Sequence, residues 1–133
     1  MGVLMMIILD TCALLWWTID PVNLSVRAKE VCGKIKDEGA FISSITIWEI
    51  GIKMKKKILD IGVNIEGYVA RLKKLGTVEI IPVDEDIWIR NISLPWDHRD
   101  PADRTIVATA GMKGLPIVTK DKVIKDFYPE VIW

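Results

Sequence analysis

Short apolar runs separated by helical segments constrain this chain more than any other feature. MIIL (Met6 to Leu9), AFI (Ala40 to Ile42), VEIIPV (Val78 to Val83) and PIVT (Pro116 to Thr119) read as strands, and Val131 to Trp133 as a last edge strand. The intervening segments carry helix signals. A short helix is expected over Cys12 to Trp17, broken at Asp20-Pro21. Ser25 caps one with Ala28, Val31, Cys32 and Ile35 on one face, ended by Gly39. Ser44 or Thr46 opens another through Ile47, Trp48, Ile50 and Met54 to the lysine run Lys55–Lys57. Asn64 caps a helix carrying Ile65, Val69, Leu72 and Leu75, stopped by Gly76, and Asp84 caps one holding Ile87, Trp88 and Ile92. Asp121 begins a last short one.

Strands alternating with helices must pair in parallel through right-handed crossovers, with helices on both faces. The expected fold is therefore α/β, a three-layer α/β/α sandwich around a central, mainly parallel sheet. At 133 residues, residues 1–133 are expected to form a single domain, with no repeat or linker. Half the residues are hydrophobic, which is too apolar for disorder. Lys plus Arg and Asp plus Glu number 18 each, so bulk positive charge is not what would hold this chain on nucleic acid. Cys12 and Cys32 lack CxxC spacing and sit among apolar neighbours, which implies reduced thiols with a packing role in the cytoplasm rather than a zinc site. The opening MGVLMMIILD is too short for a membrane span and lacks a secretory cleavage pattern; Met5 and Met6 are both candidate starts.

In open parallel sheets the ligand site lies at the carboxyl ends of the strands. Asp10 follows the first strand, Ser43 and Ser44 the second, and Asp121 the PIVT strand, while Glu49 lies about one turn into the helix after the second strand. The stretch HRDPADRTIVATA, His98 to Ala110, adds two more acids. Asp100 suits an N-cap, Pro101 the first helical position and Asp103 the third, ahead of a stripe formed by Ile106, Val107 and Ala110. Plain capping and chemistry are both open for this segment. A cap contributes roughly 1 kcal/mol. Two carboxylates about 4 Å apart repel by about 4 kcal/mol at an effective dielectric near 20. If acids from distant parts of the chain converge, a cation must offset them, and oxygen donors suit Mg²⁺ or Mn²⁺. The lone His98 reads as a loop residue beside the ligands rather than one of them.

ILDTCALLWW, ITIWEI, HRDPADRTIVATA and IVTKD, in this order, resemble the motifs of the PIN domain, over nearly the whole chain. They are most similar to the single-domain ribonucleases that act as VapC-type toxins. The resemblance implies an acidic metal site of Asp10, Glu49, Asp103 and Asp121, with Asp100 as a further ligand or the cap. Thr11, Ser44 and Thr119 fall at the hydroxyl positions that would orient carboxylates or water. It implies Mg²⁺- or Mn²⁺-dependent endonucleolytic cleavage of RNA to leave a 5′-phosphate, a VapB-like antitoxin as partner, and a homodimer. Ala102 stands where a bulky apolar residue is common, and Cys12 where His is often found.

Further readings concern the rim. Lys53, Lys55, Lys56 and Lys57 with Arg71, Lys73 and Lys74 form either an RNA-gripping surface or a solvated face. Arg104 is expected to pair with a carboxylate. Of six tryptophans, Trp48 and Trp88 are expected in the core, whereas Trp16, Trp17 and Trp96 lie near segment ends, where a partner groove is plausible. Two competing functions stand beside the ribonuclease: a catalytically silent partner-binding module of the same fold, and a receiver-type phosphoacceptor domain. Glu49 lies inside a helix, whereas a receiver needs its acceptor at the end of a central strand.

Overall fold

A computed structural model describes residues 6–133; the candidate start Met5 lies outside the described residues. Five strands form one sheet in the order β3-β2-β1-β4-β5. They are β1 (Ile8–Leu9), β2 (Ala40–Ser43), β3 (Val78–Ile81), β4 (Ile117–Val118) and β5 (Val131–Ile132). Every pairing is parallel, with Ile8 opposite Phe41 and Ile117, and Ser43 opposite Ile81. Helices cover both faces, which is the three-layer α/β arrangement expected from the alternation of elements.

The two faces follow from strand periodicity. Leu9, Ala40, Ile42, Val78 and Val118 point to one side, where they pack with residues of α1 (Thr11–Thr18), α2 (Val26–Cys32), α3 (Ile35–Glu38) and α5 (Ile65–Leu75). Ile8 and Ile117 point to the other, against α7 (Pro101–Lys113) and α8 (Lys122–Phe127). Helix α4 (Ser44–Lys55) bridges the faces, giving Ile50 to the first and Ile45 to the second. Ile106 and Val107 of α7 are essentially inaccessible, and burying each contributes about 1.5–3 kcal/mol.

The Ser25-capped helix is not continuous. It ends at Cys32, Gly33 caps it, and the chain restarts as α3 before Gly39 takes a φ of +84°. A Cβ on Gly39 would lie 3.0 Å from the Thr77 carbonyl oxygen, the same atom that accepts from Ala40 N, so glycine lets β2 start against β3.

Trp48 and Trp88 depart from the core expectation, at 55% and 42% exposed. Helix α6 (Glu85–Ser93) buries Ile87 and Asn91, one turn apart, against α7; Trp88 and Ile92 follow them by one residue and so turn outward. Asn91 is buried because its amide donates to Thr105 Oγ1 at 3.0 Å and its carbonyl oxygen accepts from Arg104 Nε at 3.2 Å. Periodicity of apolar residues alone selects the wrong stripe here, since a polar residue occupies the buried position.

Candidate active site

Three central strands end side by side at the same edge. Asp10 follows β1, Ser43 closes β2 and Thr119 follows β4. Asp10 caps α1, its Oδ1 accepting from Ala13 N at 2.8 Å, and its Oδ2 accepts a short hydrogen bond from the Thr119 hydroxyl. Thr119 Oγ1 in turn accepts from Asp121 N at 3.0 Å, and Asp121 caps α8 through Val123 N. One threonine thus links the acids after β1 and β4. Asp100 caps α7 by accepting from Ala102 N and Asp103 N, at 2.9 and 3.0 Å, which fixes Asp103 in the first turn.

Asp10, Asp100, Asp103, Asp121 and Glu49 all line one open cleft of about 450 Å³. Thr11, Cys12, Trp16, Lys53 and Lys120 complete its walls. Asp10 is only 6% exposed. Burial pushes its carboxyl up to about 6, the bonds from Thr119 and Ala13 pull it partly back, and the charges of Asp103 and Asp121 raise it further. Burial likewise raises the Asp103 carboxyl, opposed by the bond from His98 and reinforced by Asp100 and Asp121. Lys53 approaches Glu49 at 4.0 Å, but no lysine or arginine pairs with Asp10, Asp103 or Asp121 among the described residues. These carboxylates therefore repel one another in a partly desolvated cleft.

That chemistry sets what the cleft suits. The donors are chiefly carboxylate oxygens, which match a hard divalent cation. Among the described residues no three His, Cys, Asp or Glu side chains form a ready-made ligand cluster. The site is an open acidic cleft rather than a closed cage. A Mg²⁺ ion fits such a cleft because it keeps several waters and takes only one or two carboxylates directly.

Several residues sit otherwise than the sequence reading expected. The Ser44 hydroxyl accepts from Val83 N at 3.1 Å and faces a separate apolar pocket with Trp48 and Trp88; it does not line the acidic cleft. Ser43, the last residue of β2, caps α4 instead. Among the described residues Arg104 pairs with no carboxylate. Its guanidinium donates to carbonyl oxygens of Trp96 (2.6 Å), His98 (3.1 Å) and Asn91, so it ties the loop before α7 to that helix. The planar fork meets a cluster of loop carbonyls that only the folded loop creates. Cys12 is exposed and lines the cleft rather than packing in the core, because α1 starts at Thr11 and turns position 12 outward; Cys32 is buried. Thr11 reaches the cleft but shares its hydroxyl with Thr46 at 3.1 Å. Trp17 lines a second, more apolar groove with Tyr68 and Leu72, while Trp96 stacks on Phe127 at 4.7 Å between centroids.

His98 is more closely engaged than its lone occurrence suggests. Its Nε2 lies 2.8 Å from Asp103 Oδ2, in a loop held by Arg104. Spacing gives no warning of this, since the pair lies five positions apart across a loop and a cap. Trp16 and Lys120 also line the cleft, a position that the strand-edge rule offers only for Lys120, between Thr119 and Asp121.

Residues 7–128 match the family model described as the PIN domain. Ribonuclease VapC22 of Mycobacterium tuberculosis is 27% identical over 132 residues, covering 96% of this chain and 98% of that protein. A toxin–antitoxin complex from Klebsiella pneumoniae superposes with a TM-score of 0.64 at 25% identity, covering 96% of each chain. VapBC2 from Rickettsia felis, solved on a DNA fragment from its promoter, gives 0.65 at 18% identity over 96% of each chain, a likeness of fold.

Proposed function

The chain belongs to the PIN domain family, and on that premise we propose that it is a Mg²⁺- or Mn²⁺-dependent endoribonuclease. Its physiological role is that of the toxin in a toxin–antitoxin pair, acting in the cytoplasm as a homodimer that a VapB-like antitoxin holds inactive. The observation that carries the catalytic reading is the set of carboxylates lining one cleft, led by a buried Asp10 that no side-chain cation neutralises among the described residues. The relatives support the choice of substrate and partner: one is a ribonuclease, and a solved neighbour at 25% identity is a toxin–antitoxin complex. Among the described residues no helix is long and apolar enough to cross a membrane.

Asp10, Asp103 and Asp121 would hold the divalent ion directly or through its waters, with Glu49 and Asp100 also lining the cleft. When bound, such an ion stabilises charge building on a phosphate and makes water a better nucleophile. The side chains provide orientation. Thr119 and Ala13 N fix both oxygens of Asp10, so its carboxylate does not rotate. His98 holds one oxygen of Asp103 and leaves the other for the cleft. Asp100 sets the first turn from which Asp103 projects. Glu49, which lines the same cleft, is the carboxylate that would take a proton from an attacking water. Cleavage of the 3′ oxygen–phosphorus bond leaves a 5′-phosphate.

The test is cleavage of total RNA by the purified protein with Mn²⁺, compared with EDTA and with Asp103→Asn. Mn²⁺-stimulated cuts with 5′-phosphate ends, lost in the variant while circular dichroism is unchanged, support the reading. Undiminished cleavage in EDTA contradicts it.

A further inference from the structure

Five carboxylates line the cleft, yet a ribonuclease must bring a polyanion into it. Two lysines share those walls, Lys53 and Lys120. Lys53 lies on α4, which leaves β2; Lys120 lies two residues past β4. Because β1 sits between β2 and β4, these two elements flank Asp10. The two lysines are thus carried by elements that leave the sheet on opposite sides of the acid that lies deepest.

Lys120 is held in an uncommon way. It stands beside Asp121, yet it joins no salt bridge among the described residues. Its Nζ instead lies 5.8 Å from the centroid of the Trp16 ring, within cation–π range. Trp16 is braced by Trp133, at 5.7 Å and a 52° tilt. An aromatic face orients an ammonium without neutralising it, whereas a carboxylate partner would cancel its charge. Lys53 is only loosely engaged, at 4.0 Å from Glu49. Both lysines therefore keep charge and donors for a phosphate oxygen.

We propose that Lys120, seated on Trp16, and Lys53 are substrate-positioning residues that grip the RNA phosphates on either side of the bond to be cut. Trp16 acts through Lys120 by fixing where its ammonium sits. The inference rests on the ribonuclease reading of the same cleft and adds which cations bring the backbone in. It divides the basic side chains: Lys53 and Lys120 line the cleft, while Lys55, Lys56, Lys57, Lys73 and Lys74 do not.

The experiment measures Mn²⁺-dependent cleavage and, in Ca²⁺, anisotropy of a fluorescein-labelled single-stranded RNA of mixed sequence over a KCl series. Lys120→Gln and Lys53→Gln should each raise KM about tenfold with kcat within about twofold, since phosphate contacts position the strand. Each should flatten the slope of log Kd against log salt by about 0.7, the value for one phosphate contact on a single strand. Lys120→Arg should restore KM to within about threefold and recover the slope, because guanidinium also binds phosphate. Trp16→Leu should raise KM while leaving the slope unchanged, because the charge remains. Cleavage by Lys120→Gln with unaltered KM and slope overturns the clamp and leaves the ribonuclease reading intact. Wild-type protein that binds RNA with a lysine-dependent slope but never cuts it overturns the ribonuclease reading alone. Neither binding nor cutting overturns both.

Discussion

Asp10→Asn should make the metal-free protein more stable while destroying its activity. Asp10 is 6% exposed, and its carboxyl is raised from the ordinary 3.8 to about 6, with burial as the largest cause. Because the folded-state value lies above the unfolded one, the folded chain binds the proton more tightly. Stability is thus greatest below about pH 4 as far as this group is concerned, and falls as pH rises from 3.8 towards 6. The full displacement corresponds to about 3 kcal/mol, a ceiling reached above pH 6. The raised Asp103 carboxyl acts in the same direction. An asparagine removes the charge and keeps the acceptor for Ala13 N. Its amide must then donate to Thr119 Oγ1, which already accepts from Asp121 N, so the hydroxyl proton loses its partner. That loss costs about 1–2 kcal/mol. A net gain of about 1–2 kcal/mol remains, or roughly 3–8 °C in Tm for a chain of this size. Thermal melts at pH 7.5 in EDTA measure it, beside Mn²⁺ melts in which only the wild type gains stability. A variant that melts at or below the wild type in EDTA at pH 7.5 would refute the claim that Asp10 is a destabilising buried charge.

Other outcomes follow from the same contacts. His98→Ala should free Asp103 and lower kcat about tenfold with little change in Tm, read from initial rates at saturating RNA, in line with the loss of a group that orients a ligand. Thr119→Val should lower Tm by the equivalent of about 1–3 kcal/mol, since it strands Asp121 N and one Asp10 oxygen in a buried site. Asn91→Ala should destabilise by a similar amount through Arg104 and Thr105, visible as a lower urea midpoint, while cleavage per folded molecule is retained. A thiol reagent should modify Cys12, slowly because burial and the charge of Asp10 raise its thiol, and block cleavage by filling the cleft, whereas Cys32, buried and pushed up to about 11, should react only after unfolding.

What the sequence made legible was the part governed by local chemistry. Asn64 and Gly76 bound α5 as expected, since an Asx cap and a left-handed glycine act within a few residues. Asp100 caps α7 for the same reason. The parallel sheet followed from the alternation of strand and helix, and the shared edge of Asp10 and Asp121 from the parallel sheet. What stayed hidden depends on pairings between remote segments. Asn91 is buried because Arg104 and Thr105 await it, and nothing near position 91 announces that. Trp88 is exposed as a consequence. Ser44 and Ser43 differ by one position, yet a strand ending at Ser43 turns one hydroxyl to the cap of α4 and the other to Val83. Lys120 meets Trp16 across more than a hundred residues, a contact that no window along the chain can contain.

The central claim is that the acids at the carboxyl edge of β1 and β4 share one divalent ion. Crystals grown with Mn²⁺ and measured at the manganese absorption edge test it most directly. An anomalous peak within direct or water-bridged reach of Asp10, Asp103 and Asp121, absent in Asp10→Asn crystals, is the predicted result. A featureless map across that cleft, from protein whose RNA cleavage requires Mn²⁺, would contradict it.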